Sequence, residues 1–526
     1  MTNTYDAIVV GGGHNGLTCA AYLARAGRSV LVLEKTHILG GAAVTEEIFP
    51  GFKYNVYSYV VSLLRPEVIR ELELPRHGLQ IHPVDSVWSP TEDGDYLVFP
   101  TDPAQERDEL KRLSLRDAEM MPRFTDVMYK MAHAVKPILG LVPPDPSRQG
   151  WRDIRTARGL GKLFSGLDKQ TFSELTKLMT MSVDDFLAEY FETDVIRATV
   201  GLSGIIGTML GVRSPGTAYV LLHHYMGELD GAYTAWGAQK GGTGAVSEAI
   251  ASAAREHGAE IRVDSPVSQV IVKNGKAVGV ATDSGEEFYA KTVVSGCDPN
   301  VTFRKLVDPS ELPDEVIASI GNFKFRGSSG KVNLALDRLP TFTAMPDPSL
   351  MSGSISISPS VEYIERAYDD AKYGGFSQRP AMEVELPSTV DPTMAPPGKH
   401  VLSAFVQYMS YDGSDAVDRD AERRDFGNAV IDALAEFAPD LKDVILHKQV
   451  LTPWDMEQKI GLTEGNIFHG ELTLDQLFFF RPGIGLADYR TPIRNYYQCG
   501  SGTHPGGGVT AGPGRLAAMQ ILGGSK

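Results

Sequence analysis

The stretch Asp6-Ala7-Ile8-Val9-Val10-Gly11-Gly12-Gly13-His14-Asn15-Gly16, with the run from Leu17 to Glu34 behind it, decides the fold. Its first five residues form a short apolar segment that stops at three glycines, as a buried parallel strand does. Asn15 to Ala26 predicts a helix with Leu17, Ala20, Ala21 and Leu23 on its apolar face, and Gly27 ends it. Val30-Leu31-Val32-Leu33 reads as a second buried strand closing at Glu34. Strand, helix and strand make one βαβ unit, with Gly11-x-Gly13-x-x-Gly16 at its first turn. Gly11 permits the tight turn, Gly13 lets backbone approach a pyrophosphate, and Gly16 lets helix and strand pack closely. The helix start offers free N–H groups and positive dipole charge to phosphates. Glu34 is placed to accept ribose hydroxyls, which selects against a 2′-phosphate.

Two further blocks repeat this logic. Val267 to Val272, Val278 to Thr282 and Glu286 to Tyr289 read as a β-meander. Lys273-Asn274-Gly275-Lys276 is its first turn, since Asn-Gly suits the two positive φ angles of a type I′ hairpin. Thr292-Val293-Val294-Ser295 reads as a separate buried strand after it. Near the C-terminus, Asn495 to Cys499 leads into the glycine-rich run Gly500 to Gly508, and a helix is expected over about 512–522. Between these blocks, residues 100–225 are helical in pattern, with Ser182 as an N-cap. Residues 325–455 mix strands such as Val332 to Leu336 with one helix carrying Phe426, Val430, Leu434 and Phe437, ended by Pro439.

At 526 residues more than one domain is expected. Acidic residues outnumber basic ones 66 to 50, a balance that excludes a nucleic-acid partner, because phosphate binding needs a basic face. The three cysteines, Cys19, Cys297 and Cys499, are far apart and form neither a disulfide framework nor a CxxC pair. With no signal-peptide pattern and no apolar run long enough to span a bilayer, a cytoplasmic location is expected. Met120 to Leu141, rich in Met and apolar residues, reads as core or as a lid helix resting on a membrane surface.

Gly40-Gly41, six residues past Glu34, resembles the FAD-binding arm of the amine-oxidase and phytoene-desaturase superfamily. Gly241-Gly242-Thr243-Gly244, Val293 to Pro299, Gly465 to Leu472 and Gly500 to Val509 are similar to the phytoene-dehydrogenase-related oxidoreductases. Within these they resemble the branch of pyridine nucleotide-disulphide oxidoreductase domain-containing proteins. Amine oxidases and carotenoid desaturases usually carry Arg directly after the diglycine; Ala42 stands there in this chain.

The resemblance implies an α/β fold: a Rossmann-type FAD-binding domain with a central β-meander, plus an inserted α+β substrate domain. It assigns residues 1–90, 226–305 and 455–526 to the FAD domain, and 91–225 and 306–454 to the substrate domain. FAD would be held by Gly11, Gly13, His14, Asn15 and Gly16, by Glu34 and Lys35, by Gly40, Gly41 and Ala42, and by Val267 beside the adenine. Gly500 would also bind the cofactor, and the Gly506 to Gly512 turn, with Gly508 and Val509, would approach the pyrimidine end of the isoalloxazine. No second dinucleotide fingerprint occurs, so oxygen, a quinone or a protein would have to take the electrons.

Flavin oxidation needs one positioned base at most. The side chains expected to supply it are His504 in the flavin turn, His469 and Glu471 before it, and Lys240 ahead of Gly241. His223-His224 is rejected as a metal pair, because adjacent helical residues point to different sides, and no metal is expected. Phe478-Phe479-Phe480 with Tyr496 and Tyr497 is expected to be core strand, an apolar substrate channel being the alternative. The expected activity is FAD-dependent dehydrogenation of an organic, lipid-like substrate. Its alternatives are a flavin amine oxidase releasing hydrogen peroxide and a non-catalytic binding protein of the GDP-dissociation-inhibitor kind. Peripheral membrane contact and a homodimer are compatible with all of these readings.

Overall fold

The computed structural model of the protein describes residues 4–147, 150–229, 232–233 and 236–523. The predicted βαβ unit is present as Thr4–Val10, His14–Arg25 and Val30–Leu33. These strands form the heart of a seven-stranded sheet. Glu260–Arg262 lies outside Val30–Leu33, and Glu287–Ser295 runs parallel to Thr4–Val10 on the other side. The meander strands Val267–Val272 and Ala277–Thr282 follow, antiparallel to one another. Their turn carries positive φ at both Asn274 (55°) and Gly275 (66°), as the type I′ reading requires.

One sequence expectation needs correction. Residues 286–289 and 292–295 are a single strand, Glu287–Ser295, because no turn-forming residue separates them. Its first half pairs with the meander, and its second half pairs in parallel with Tyr496–Gln498. The last strand of the chain therefore enters the same sheet as the first.

A second seven-stranded sheet runs Ile445–Leu451, Ser329–Leu336, His400–Met409, Phe376–Glu385, Ser354–Ile357, Ser86–Pro90, Tyr96–Pro100. Ser86–Pro90, which falls in the first FAD-domain segment by sequence, pairs with this sheet instead. Alternation along its central strands sorts the side chains into two layers. Val332, Leu334, Met382, Val384, Leu402 and Val406 pack against the helix Arg419–Ala435, which ends before Pro439. Lys331, Asn333, Glu383, Glu385, Ser403, Phe405 and Gln407 occupy the alternate positions, and all are buried.

The helical segment behaves as expected. Ser182 caps Val183–Ala188, its Oγ accepting the Asp185 N–H at 3.1 Å. Helix Leu115–Leu139 turns Met121, Phe124, Met128 and Met131 into the core shared with Phe186, Tyr190 and Phe191. Its methionine face is thereby spent on packing. Among the described residues no helix is long and apolar enough to cross a membrane.

Glycine fixes how the terminal helices pack. A Cβ on Gly16 would sit 2.2 Å from the Gly11 carbonyl oxygen, and one on Gly514 would sit 2.1 Å from that of Asn15. Helix His14–Arg25 is thus pressed between the first strand and the closing helix Gly512–Ile521 by backbone contact. Gly16→Ala and Gly514→Ala should each cost about 1–3 kcal/mol through overpacking. Gly159→Ala, whose Cβ would meet nothing within 4 Å inside helix Trp151–Ser165, should be neutral or stabilising by about 0.5–1 kcal/mol. Denaturant unfolding of the three variants checks the order.

Candidate active site

One elongated cavity of about 450 Å³ runs between the two sheets. At one end its walls include Gly11, Gly13, His14, Asn15 and Gly16 from the first turn, with Gly40, Gly41 and Ala42 beside them. Glu34, Lys35 and Val267 also line it, as do Ser501, Gly508 and Val509 from the C-terminal run. Segments expected from sequence to serve one ligand thus border one space. Gly500 lies outside it; a Cβ there would meet the Cys297 carbonyl at 2.5 Å.

The local geometry is that of an anion cradle. Helix His14–Arg25 starts at Gly13 without a side-chain cap and with no acid in its first turn, so its leading N–H groups remain available. The nearest atoms to a Cβ on Gly13 would be 3.9 Å away, an ordinary contact, so that glycine is not pressed against its neighbours. Gly13 bridges to Gly40, and the Gly40 N–H donates to the Gly12 carbonyl at 2.9 Å, which brings the diglycine alongside the turn. Both ring nitrogens of His14 and the Asn15 Oδ1 are buried without a partner among the described residues. Buried polar atoms left unpaired this way are what a ligand satisfies. Asn15 Nδ2 donates to Ser501 Oγ at 2.9 Å, joining the two glycine-rich segments directly. Glu34 accepts the Gly12 N–H at 2.7 Å on one oxygen, and the Thr36 N–H and hydroxyl, each at 2.9 Å, on the other. Those bonds aim the carboxylate and leave lone pairs for a diol. The residues present fit a dinucleotide.

Away from these segments the same cavity is walled by Tyr59, His224, Trp236, Phe405 and Phe468, an aromatic chamber. Tyr59 stacks on Phe405 with centroids 5.2 Å apart and tilts toward Trp236 at 6.2 Å. Beneath Tyr59 lie the buried polar residues of the second sheet. The Tyr59 hydroxyl donates to Glu383 Oε2, and Lys331 Nζ sits 5.0 Å from the Tyr59 ring centroid. Burial lowers Lys331 to about 7 and raises Glu383 to about 7 and Glu385 to about 8. Sequence reasoning missed this cluster. Its signal is the polar beat in Lys331-x-Asn333, Glu383-x-Glu385 and Ser403-x-x-x-Gln407, which reads as a solvated face until a second layer covers it.

The four expected bases are scattered. His469 lines the cavity with Nδ1 unpartnered, and burial lowers it to about 4. His504 lines a different, apolar cavity, and its Nε2 engages the Ile138 carbonyl at 2.9 Å. Glu471 is fully buried, pairs with Arg326 and accepts the Met209 N–H at 3.1 Å, so it holds loops together. Lys240 is exposed and lines neither cavity. Phe478–Phe480 is a 3-10 turn rather than a core strand; Phe478 and Phe479 line the cavity that His504 faces. A strand is ruled out there because Phe478 takes φ 54°. Tyr496 does pack in the core of the first sheet. Arg481, overlooked in the sequence, is fully buried and reaches the carbonyls of Phe468, Gly470, Glu471, Gln476 and Ser501, which fixes the loop carrying His469.

Comparison with known proteins agrees with this geometry. The model of the "flavin containing amine oxidoreductase" family matches residues 16–512. The chain is 39% identical to pyridine nucleotide-disulfide oxidoreductase domain-containing protein 2 of Rattus norvegicus, over 98% of this chain and 93% of that protein. It is 27% identical to a limonene dehydrogenase subunit of Castellaniella defragrans, covering 98% and 94%. The solved structure of putrescine oxidase bound to putrescine has the same fold, with a TM-score of 0.61 at 18% identity, covering 99% of this chain and 100% of the other. The expected resemblance is borne out, and the non-catalytic binding-protein reading gives way to an enzyme. The chain belongs to the flavin containing amine oxidoreductase family and is a flavin-dependent oxidoreductase.

Proposed function

We propose that the protein is an FAD-dependent dehydrogenase of an apolar, lipid-like organic substrate. One observation carries this reading: a single cavity joins the phosphate-cradling glycines to a chamber of aromatic walls. The name of one relative, a limonene dehydrogenase, points to the same substrate class. FAD, when bound, supplies a hydride acceptor at its N5 atom. Every other task falls to the chain. Glu34, Lys35 and Val267 hold the adenosine end, and Gly11, Gly13, His14, Asn15 and Gly40 to Ala42 hold the pyrophosphate. Ser501, Gly508 and Val509 border the ring end. Residues 1–90 apart from strand Ser86–Pro90, with 226–305 and 455–526, supply this half, and that strand joins the rest of the chain in the substrate half.

Tyr59, Trp236, Phe405 and Phe468 exclude water and orient an apolar substrate. The proton lost from substrate passes to the Tyr59 hydroxyl oxygen as its own proton moves to Glu383. A carboxyl raised to about 7 is matched to that task near neutral pH. His469, held near 4, is the weaker base. Oxygen or a quinone would take the electrons from the reduced cofactor.

The test begins with colour: the purified protein should absorb near about 450 nm as flavoproteins do. Gly13→Glu should fold, since its Cβ has room, yet lose the flavin, because the carboxylate occupies the pyrophosphate position. A yellow Gly13→Glu protein would contradict the assignment. Anaerobic mixing with terpenoid, acyl and amine panels then identifies which class reduces the flavin. Glu383→Gln should keep its flavin but slow that reduction by about 10²-fold or more. The wild-type rate should fall as pH drops through about 7, since the carboxylate must be unprotonated to accept; Glu383→Gln should lack that limb. An unchanged rate and pH profile in Glu383→Gln would remove the Tyr59–Glu383 pair from the mechanism.

A further inference from the structure

A second cavity, of about 480 Å³, lies between helices Leu115–Leu139, Trp151–Ser165 and Lys169–Thr180 and the turn Phe478–Phe480. Val135, Ile138, Leu160, Phe164, Leu175 and Met179 supply much of its wall. Only four lining residues carry a side-chain nitrogen or oxygen: Thr176, Thr180, Tyr219 and His504. Three of these are engaged internally. Thr176 Oγ1 donates to the Phe172 carbonyl at 2.9 Å, and Thr180 Oγ1 to the Thr176 and Lys177 carbonyls at 3.1 Å each. His504 Nε2 contacts the Ile138 carbonyl at 2.9 Å, and burial keeps the ring neutral at physiological pH, so that nitrogen carries the hydrogen. Tyr219 is only 6% exposed, its hydroxyl makes no side-chain hydrogen bond among the described residues, and the nearby buried Arg481 guanidinium acts on it electrostatically. Phe172 is 52% exposed and marks where the cavity meets solvent.

The position matters as much as the lining. Tyr219 and Leu477 belong to one packed cluster with Ile206, Phe405 and Phe468, and those three line the flavin chamber. The C-terminal run is shared in the same way: His504 and Pro505 face the second cavity, Gly508 and Val509 the first. An apolar space of this volume is within the range of small-molecule sites.

We propose that this cavity is a binding site for a ligand that is almost wholly hydrocarbon, a terpenoid or acyl chain with a single oxygen, which bonds to the Tyr219 hydroxyl beside the flavin chamber. The inference deepens the dehydrogenase reading, because such a ligand belongs to the substrate class assigned to the chamber. Its test reads binding rather than turnover, so the two can fail separately.

Calorimetric titration of the flavin-loaded protein with farnesol and with dodecan-1-ol should show saturable micromolar binding, and hexane-1,6-diamine should not bind. Thr176 is exposed at the cavity wall, so Thr176→Trp should fold and fill the space. It should weaken both alcohols at least ten-fold while leaving the flavin absorbance unchanged. Tyr219→Phe should weaken them about five-fold, the loss of one hydrogen bond. Absence of alcohol binding to the wild type would overturn the proposal. So would wild-type affinity in Thr176→Trp, which would put the ligand elsewhere. If the alcohols bind and respond to Thr176→Trp while none of the panel reduces the flavin, the dehydrogenase reading falls and the site stands.

Discussion

The molecule depends on backbone contacts that only glycine allows. Gly16 rests on the Gly11 carbonyl and Gly514 on that of Asn15, so one helix is gripped from both sides near its start. Any side chain at either position would push the first strand, the nucleotide helix and the closing helix apart. Because they cannot separate, the first turn and the C-terminal glycine run open onto one groove, pinned by the bond from Asn15 to Ser501. Arg481 extends the same constraint. With no carboxylate paired to it among the described residues, it gathers backbone carbonyls from Phe468 to Ser501 and so sets where His469 and Phe468 stand. Burial lowers it to about 9, the cost of solvating a guanidinium by carbonyls alone.

The second sheet turns this scaffold into a reaction vessel. Its outer layer is ordinary aliphatic packing against one helix. Its inner layer is polar yet buried, which is expensive unless the groups pair or share protons. Lys331, Glu383 and Glu385 meet that demand by drifting toward neutrality from opposite directions, and the Tyr59 hydroxyl links them to the chamber. Lys331 Nζ and Glu385 Oε1 still lack hydrogen-bond partners among the described residues. A buried set of titratable groups kept incomplete beside a cavity is a feature of sites that move protons.

The nucleotide half was legible because its chemistry is local. Gly11, Gly13, Gly16 and Glu34 announce strand, turn, helix and acid within one short segment, and Asn274-Gly275 announces its hairpin. The chamber was not legible, because its residues come from strands whose partners cannot be read from spacing. Lys331 looks like a surface lysine in an alternating strand until a layer that includes Tyr59 covers it. His504 stands four residues before Gly508, yet the turn carries it to the opposite side, toward Ile138. Phe478 to Phe480 read as core because three aromatic residues in a row usually are; the left-handed backbone at Phe478 breaks the strand instead. Glu471 stands out in the sequence for its acid, and its partner Arg326 lies 145 positions away.

The proposed function requires one ligand that spans the groove end to end. A crystal structure of the yellow protein at a resolution that shows the cofactor tests this most directly. It should place the diphosphate against Gly13 and the start of helix His14–Arg25, the ribose on Glu34, and the tricyclic ring between Val509 and the Tyr59 chamber. Cofactor density in the other cavity, or a ring turned toward Val267 with its adenine in the aromatic chamber, would contradict it.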